Sequence, residues 1–468
     1  MRFLNAALAV LLSAGLAAPM AAEGPVERLA AALRFETISH GDPADFEAEP
    51  FLEFHRYLAA AFPATHAALE REVVADYSLL YTWRGRDESA QPFLLTSHFD
   101  VVPIVPGTQE RWTHPPYGGV IADGFVWGRG ALDDKVGVLG TLEAVEALVK
   151  EGFVPERTVY LAFGHDEELG GDSGAASIAE LLASRGVQLW FSLDEGMAIL
   201  ERTAGVDASV AMIGVAEKGF LTLRLTAKAI GGHSSVPPPG GAIPRLARAI
   251  TRLEETPLPA RSSGVADLMF DSLVPHVPGF QGFLLGNRHL FGGLVESYMS
   301  ETPAMNAALR TTTAITMIQG GVKENVLPTD ASVAVNFRLV PGDTVDGVIA
   351  EVQRIIDDSE IEIEVMTARE ASAVSSHTSE AYQVITAAIS DIGSELVVAP
   401  ALVLGGTDSK HYSQIADDAY RFTPYRLADD DLGRVHGTDE RVSVDGYAEI
   451  MTFYRGLLTR AGGSASGR

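Results

Sequence analysis

Three apolar runs, each followed at once by side chains of the types that bind metals, constrain the fold of this chain most strongly. Residues 91–97 lead into His98, residues 157–164 lead into the acidic turn 165–168, and residues 187–193 lead into Asp194. Short apolar runs of this kind are typical of buried strands in a parallel sheet. Open parallel sheets bind their ligands beyond the carboxyl ends of the strands. We therefore expect an α/β fold in which these polar side chains meet at one edge of a mostly parallel sheet.

The charge and composition of the chain exclude several classes of partner and of chemistry. Its 468 residues are enough for two or more domains with substantial cores. The formal net charge of −27 argues against binding to nucleic acid or to anionic membrane surfaces, because both would repel the chain. The absence of cysteine excludes disulfides, thiolate metal sites and cysteine nucleophiles. Histidine, aspartate and glutamate are therefore the available metal ligands.

Residues 1–22 have the pattern of a secretory signal peptide. Arg2 precedes an apolar stretch over residues 3–18, which small residues follow. This order predicts cleavage between Ala17 and Ala22, and hence a secreted or periplasmic protein. An uncleaved anchor and a buried helix are the alternatives, although the stretch is short for a membrane span.

The rest of the sequence shows two types of pattern. Residues 23–213 alternate between helical and extended patterns, which predicts the first part of a catalytic domain whose parallel sheet is flanked by helices. Residues 214–367 contain half-exposed strand patterns and predict an inserted α+β unit. Residues 368–468 return to the first pattern and are expected to complete the catalytic domain. An apolar stretch rich in Gly and Pro, at 260–310, either lines a substrate pocket or packs the inserted unit.

Five residues are our candidate metal ligands. They comprise two imidazoles and three carboxylates, which suit two zinc ions with one carboxylate shared between them. The five are His98, Asp133, Glu168, Asp194 and His436. Taken alone, His98 is more typical of a structural histidine, Asp133 of a helix cap and His436 of a surface residue. Their occurrence together with acids at strand ends is what favours a metal site.

Two further acids lie beside the candidate ligands. Asp100 follows His98 by two residues, and residues i and i+2 of an extended chain face the same way. Its carboxylate is therefore expected to accept a hydrogen bond from the His98 ring and to fix the tautomer. Glu167 directly precedes Glu168, and adjacent side chains point apart, so we assign Glu167 as the general base and Glu168 as the ligand. A solvated acidic loop is the alternative for this pair.

Two side chains of the inserted unit are candidates for contact with a substrate. His233, within Gly-Gly-His-Ser-Ser, would stabilise an oxyanion if the inserted unit closes over the metal site. Arg338 ends a predicted strand and would hold a carboxylate through a bidentate contact, with a solvated strand end as the alternative. Residues 171–174 resemble the nucleophile loop of trypsin-like serine proteases. The surrounding α/β pattern and Ala175 argue against a serine nucleophile.

Seven short motifs, over residues 50–460, resemble those of a known family. They are SHFDVVP (97–103), GRGALDDK (128–135), FGHDEE (163–168), LDEG (193–196), GGHSS (231–235), GGTDS (405–409) and HG (436–437). The chain resembles the di-zinc metallopeptidase family of aminoacylase, succinyl-diaminopimelate desuccinylase and the glutamate carboxypeptidases. It is most similar to the branch of carboxypeptidase S and the N-fatty-acyl-amino-acid synthase/hydrolase.

This resemblance implies how the ligands are divided between two zinc ions per subunit. His98 and Asp194 would hold one zinc, Glu168 and His436 would hold the other, and Asp133 would bridge them. The resemblance also implies a cis peptide bond after Asp133, and an inserted unit that acts as a lid and often as a dimerisation surface.

The resemblance implies roles for five more residues. Glu167 would take a proton from the attacking water and deliver it to the leaving nitrogen. Asn325, Arg338 and Gly406 would contact the substrate. His233 would act on the reacting carbonyl, often from the partner subunit of a homodimer.

The expected function is hydrolysis of the amide bond next to an amino acid with a free carboxylate. The substrate would be a small peptide or an N-acyl-amino acid. The alternatives are synthesis of N-fatty-acyl-amino acids by the same residues, a dipeptidase, and a non-catalytic peptide-binding protein. Metal content and amidase activity separate the last from an enzyme, and analysis of products separates synthesis from hydrolysis.

Overall fold

The computed structural model describes residues 24–42, 44–203, 205–261, 264–428 and 431–463. The predicted signal peptide lies outside these residues. The helices are α1 (Pro25–Ala32), α2 (Ala48–Ala61), α3 (Pro63–Ala68), α4 (Lys135–Lys150), α5 (Ala175–Ser184), α6 (Ala242–Glu255), α7 (Val265–Leu273), α8 (Gly279–Gly286), α9 (Gly292–Met299), α10 (Pro303–Leu309), α11 (Val345–Ile356), α12 (Glu380–Ser390), α13 (Ser409–Tyr412) and α14 (Val444–Ala461).

The strands form a large sheet, a four-stranded sheet and two small sheets. They are β1 (Glu70–Val74), β2 (Ser78–Trp83), β3 (Phe93–His98), β4 (Val120–Ala122), β5 (Phe125–Trp127), β6 (Val159–Gly164), β7 (Leu189–Asp194), β8 (Ile199–Leu200), β9 (Val210–Glu217), β10 (Gly219–Lys228), β11 (Gly232–His233), β12 (Thr312–Gly320), β13 (Val326–Leu327), β14 (Asp330–Leu339), β15 (Ile361–Arg369), β16 (Val397–Val403), β17 (Ala416–Arg421), β18 (Arg426–Leu427) and β19 (Arg441–Ser443).

The large sheet has the order β1-β2-β6-β3-β7-β17-β9-β8-β18, and β16 also pairs with β9. Its centre is parallel, because β3 pairs in parallel with β6 and β7, and β7 with β17. The three apolar runs in the sequence are β3, β6 and β7, so the prediction of a parallel sheet is confirmed. All three strands end at the same edge, which places His98, the turn after β6 and Asp194 together.

Helices cover both faces of the large sheet. The long helix α4 packs against α14, and α12 packs beside α14. On the opposite face, the side chains of α5 and α13 join a core with β2, β3 and β6. Helix α4 is nearly buried because Val136, Leu139, Leu142 and Val145 recur at helical spacing and are all fully shielded from solvent. No helix within the described residues combines the length and apolar character that crossing a membrane requires.

The four-stranded sheet is antiparallel and separate from the large sheet, with the order β12-β14-β10-β15. On β10, Leu221, Leu223 and Leu225 are buried against α6 and α11, while the alternate residues are half-buried on the open face. This alternation is typical of a sheet covered on one face. The predicted fold class, an α/β catalytic unit with an additional α+β unit, is confirmed. The domain boundaries at 214 and 367 stay predictions.

The apolar stretch at 260–310 folds into α7, α8, α9 and α10. Its buried side chains, including Phe270 and Leu273, share a core with Met212 of β9 and Ala399 of β16. The stretch thus covers strands of the large sheet, and the main cleft beside β3 and β6 is lined by other segments. Burial of apolar side chains explains this packing, because Ala399 and Ala401 of β16 lie in the same core as the helices.

Candidate metal centre

The carboxyl ends of β3, β6 and β7 gather polar side chains in the way that the strand pattern predicts. His98 is the last residue of β3, and the turn Glu167–Leu169 follows β6. Glu195 directly follows β7. Asp133 directly precedes Asp134, which is the N-cap residue of α4. His436, which is close to the C-terminal end of the chain, lies in the loop before β19. Chain segments distant in sequence therefore meet at one edge of the sheet.

Asp133 lies between two imidazoles. Its Oδ1 is 2.9 Å from Nε2 of His98, and its Oδ2 is 2.9 Å from Nε2 of His436. The same Nε2 of His436 is 3.1 Å from Oε2 of Glu168. One carboxylate thus faces a separate imidazole with each oxygen, which is the arrangement that a carboxylate shared by two cations requires. The peptide bond between Asp133 and Asp134 is cis, as the resemblance implied.

The potential ligand atoms fall into two groups that share Asp133. The first contains His98, Asp133 and Glu195, and the second contains Asp133, Glu168 and His436, with the atoms of each group within 4.8 Å of one another. Asp194, which the sequence analysis selected, belongs to neither group. Its Oδ1 accepts a hydrogen bond from the backbone N–H of Glu195 at 2.9 Å, and its Oδ2 is buried without a hydrogen-bond partner.

Asp100 fixes the side chains around it. It is fully buried, and its Oδ1 lies 3.3 Å from Nδ1 of His98, whose ring also lies 3.0 Å from the Asp100 carbonyl oxygen. Its two carboxylate oxygens accept hydrogen bonds from the backbone N–H groups of Glu167 and Glu168, each at 3.1 Å. Ser39 donates to the same carboxylate at 2.7 Å. Asp100 therefore orients the His98 ring and also the turn that carries both glutamates.

A buried ion pair that the sequence analysis did not recognise holds the second part of the site. Arg129 donates to Oε2 of Glu440 at 2.5 Å, and to the carbonyl oxygens of His436 and Gly437 at 3.2 and 3.0 Å. Oε1 of Glu440 accepts hydrogen bonds from the backbone N–H groups of Leu132 and Asp133. The pair thus ties the segment before α4 to the loop of His436.

The electrostatics of the cluster favour positive charge at its centre. Hydrogen bonds to Asp133 and Glu168 raise the pKa of His436 to about 10. Although burial opposes the shift, hydrogen bonds to Asp100 and Asp133 raise the pKa of His98. Burial, and after it the charge of Asp133, raises the pKa of Glu195. A field that favours positive charge on two imidazoles also favours metal cations among the same atoms.

The donor atoms fit zinc. They are imidazole nitrogens and carboxylate oxygens, which zinc accepts in catalytic sites, and the chain has no thiolate to compete with them. Oε1 of Glu168 is also buried without a hydrogen-bond partner, which leaves a ligand oxygen available. Two groups sharing one carboxylate suit a pair of ions.

A cleft of about 1110 Å³ lies between the metal centre and the four-stranded sheet. On one side Glu167, Glu168 and His436 line it, and on the other side Arg338 and Arg369 do. The loop residues 405–406 also line this cleft, so the structure brings Gly406 and Arg338 to the same space as the predicted general base.

Two predicted site residues lie elsewhere in the described part of the chain. His233 and Asn325 sit together at the small sheet of β11 and β13, where the Asn325 carbonyl accepts a hydrogen bond from the backbone of Ser234 at 3.2 Å. Both are exposed, and among the described residues the imidazole of His233 hydrogen-bonds only with its neighbour Ser235. Neither lines the cleft. Their contact with a substrate therefore stays a prediction, and both residues lie outside the cleft of their own subunit.

Comparison with known proteins identifies relatives over nearly the whole chain. The sequence pattern of Peptidase family M20/M25/M40 matches residues 94–460. A probable carboxypeptidase S-like 2 of Dictyostelium discoideum is 40% identical, over 92% of this chain and 84% of its own length. The N-fatty-acyl-amino acid synthase/hydrolase PM20D1 of Xenopus tropicalis is 38% identical, over 92% and 85%. An M20 family metallo-carboxypeptidase from Sulfolobus solfataricus, Sso-CP2, has the same fold, with a TM-score of 0.67 at 17% identity over 94% of this chain and 99% of that one.

Proposed function

The chain belongs to peptidase family M20/M25/M40, and on that premise we propose that it is a di-zinc hydrolase of N-acyl-amino acids or small peptides. As a member of this family, with carboxypeptidase S-like relatives, it is a metal-dependent hydrolase that cleaves amide bonds next to amino acids. The proposal adds the identity and number of the metals, the residues that hold them, and a requirement for a free carboxylate.

The position of Asp133 carries this proposal, because each of its oxygens faces a different imidazole at 2.9 Å. One zinc would be held by His98 and Glu195, the other by Glu168 and His436, and Asp133 would be shared. The chemistry that zinc would supply at these residues is polarisation of a carbonyl and a lowering of the pKa of water toward about 7. We propose Glu195 in place of Asp194, because its ligand oxygen lies with those of His98 and Asp133.

Glu167 is proposed to move the proton. Its side chain faces the cleft beside the metal centre, with Oε2 4.0 Å from Nε2 of His98. Burial raises the pKa of Glu167 above that of an ordinary glutamate. A general base works best when its pKa lies near the operating pH, so this shift favours proton transfer by Glu167. The backbone of Glu167 is held by Asp100, so the carboxylate is positioned before a substrate arrives. It would accept a proton from the attacking water and give it to the leaving nitrogen.

The four-stranded sheet is proposed to act as the lid that recognises the amino-acid half of the substrate. Arg338 faces the cleft and would bind the free carboxylate. We propose that His233 and Asn325 reach the cleft of a second copy in a homodimer, because both are exposed and distant from their own cleft. The Arg2-led apolar segment at residues 3–18 supports the further proposal that the protein is exported.

Hydrolysis of a small substrate panel tests the proposal. The panel pairs N-acetyl-, N-lauroyl- and N-glycyl-amino acids with their C-terminal amides, and zinc-loaded protein is assayed before and after chelation. We expect cleavage of the free acids, little cleavage of the amides, and loss of activity with the chelator that zinc restores. Two bound zinc ions with no cleavage of any compound would contradict the proposed activity, and cleavage that survives full metal removal would contradict the role of zinc.

A further inference from the structure

Arg338, Phe220 and Arg369 form a row across the open face of the lid sheet. Phe220 on the central strand β10 pairs in register with Arg338 on β14 and with Arg369 on β15. Neighbouring strands lie about 4.8 Å apart, so the three side chains stand next to one another. All three line the cleft that contains Glu167. The row therefore presents two guanidinium groups toward the metal centre.

Neither guanidinium has an anionic partner within the described residues. The Arg338 guanidinium packs on the ring of Phe220, 4.7 Å from its centroid, and among the described residues neither the Arg338 nor the Arg369 guanidinium has an ion pair or a hydrogen bond. Farther along the same face of the same sheet, Arg224 pairs with Glu364 at 2.8 Å. The chain has 62 acids and 35 basic residues, so acidic partners are abundant elsewhere. Burial, and after it the charge of Arg369, lowers the pKa of Arg338, as expected for two cations that share no anion.

Arg369 also reaches the opposite wall of the cleft. A Cβ atom placed on Gly406 would lie 2.5 Å from Nη2 of Arg369, so the guanidinium rests against the backbone at that glycine. Residue 406 therefore has to be small for Arg369 to take this position. The guanidinium stands where the lid sheet meets the loop at 405–406, which is the part of the cleft that we propose for the carboxylate.

We propose that Arg369 is a second carboxylate-binding residue, which shares the free carboxylate of the substrate with Arg338. This inference rests on the proposed function and narrows it. A carboxylate offers about four lone-pair positions, and two guanidiniums satisfy them more completely than one. The ring of Phe220 fixes the plane of Arg338, and Gly406 leaves room for Arg369. A C-terminal amide or ester would leave two half-buried cations without an anion, so the pair excludes such substrates.

The test compares Arg369→Met with Arg224→Met, which removes the same charge from the same face of the sheet outside the cleft. For the best free-acid substrate, we expect Arg369→Met to raise KM about 10- to 100-fold with a small change in kcat, because a charged hydrogen bond made before and during reaction is lost. For the C-terminal amide of that substrate, Arg369→Met should change KM less than about 3-fold, which is close to the uncertainty of such comparisons. Arg369→Lys should recover part of the loss, and Arg224→Met should match the wild type.

A binding measurement separates this inference from the proposed activity. In a zinc-loaded Glu167→Gln background, calorimetry gives Kd for the intact acid and for its amide. An unchanged Kd for the acid after Arg369→Met overturns the inference, whether or not the wild type hydrolyses the compound. Equal losses for acid and amide would show a structural role and also overturn it. A loss confined to substrates with acidic side chains would place Arg369 in a side-chain pocket instead, which the inference excludes. If the wild type does not hydrolyse the acid but its binding of the acid depends on Arg369, the proposed hydrolytic activity is contradicted and the inference about Arg369 is supported.

Discussion

Replacing Glu440 by Gln should destabilise the metal centre, because it breaks the buried pair with Arg129. The two side chains are 0% and 2% exposed, so the guanidinium would keep its charge with no carboxylate in reach. Gln retains one oxygen for the backbone N–H groups of Leu132 and Asp133 but presents an amide to Arg129. Breaking a buried pair from one side typically costs about 3–5 kcal/mol.

The lower end of that range applies here. Arg129 would keep hydrogen bonds to the carbonyl oxygens of His436 and Gly437. Burial also raises the pKa of Glu440 in spite of Arg129, so the attraction within the pair does not fully offset desolvation. We therefore expect Glu440→Gln to lose about 3 kcal/mol of stability. Because the loss of the Glu440 carboxylate weakens the link between the segment of Asp133 and the loop of His436, zinc affinity should fall about 10- to 100-fold.

The loss of stability is measured by urea unfolding of the chelated protein, which is followed by tryptophan fluorescence. The ring of Trp112 lies 5.5 Å from the Arg129 guanidinium and reports on this region. The fall in zinc affinity is measured by competition with a zinc chelator. Glu449→Gln is the matched control, because its pair with Arg426 is partly exposed and should be worth at most about 1 kcal/mol. The reasoning is wrong if Glu440→Gln behaves like that control in both assays.

Three further predictions concern the site and the core. Glu195→Gln should lose about one bound zinc per chain while Asp194→Asn keeps both, as measured by metal analysis after dialysis; the reverse pattern would restore Asp194 as the ligand. Glu167→Gln should reduce kcat by several orders of magnitude, on the order of 10³ or more for a lost proton shuttle, with normal zinc content; near-normal turnover would refute its role. Burial lowers the pKa of His55 to about 4, below its ordinary 6.5, so the unfolded chain binds the extra proton and stability falls as pH drops from about 6.5 to 4. His55→Gln should flatten the dependence of the urea midpoint on pH in that window, and an unchanged slope would contradict it.

Much of the fold follows from patterns that are local in the sequence. The strands that end at His98 and at Asp194 are predicted from apolar runs, and the structure has both. The four helices within 260–310 were not predicted, because Gly and Pro interrupt the periodic pattern there. Their packing on β9 and β16 depends on a contact between distant segments, which no local signal reports.

The candidate metal centre was predictable from the sequence except at one position, where Asp194 was selected and the group of potential ligand atoms contains Glu195. Its histidines and acids stand in recognisable positions at strand ends, but the sequence gives no reason to prefer Asp194 over the adjacent Glu195. Neighbouring side chains point apart, so only the backbone conformation after β7 decides which of the two meets His98. The pair of Arg129 and Glu440 was missed for a different reason, since its members are 311 residues apart. An arginine within a Gly-rich turn, followed far along the chain by the second of two adjacent acids, Asp439 and Glu440, carries no spacing signal.

The distribution of charge in the cleft explains why the proposed reaction needs a free carboxylate. Acids concentrate at the metal centre, and the lid presents Arg338 and Arg369 without partners across the same cleft. In an N-acyl-amino acid, the scissile carbonyl and the carboxylate are separated by only the amide nitrogen and one carbon atom. A substrate whose carboxylate contacts the guanidiniums would therefore have its amide held a fixed short distance from them, on the side of the proposed zinc ligands and Glu167. A peptide bond deeper in a chain would place a neutral carbonyl at the guanidiniums and leave both cations unpaired. The proposed carboxylate site would thus restrict cleavage to the bond next to the terminal amino acid.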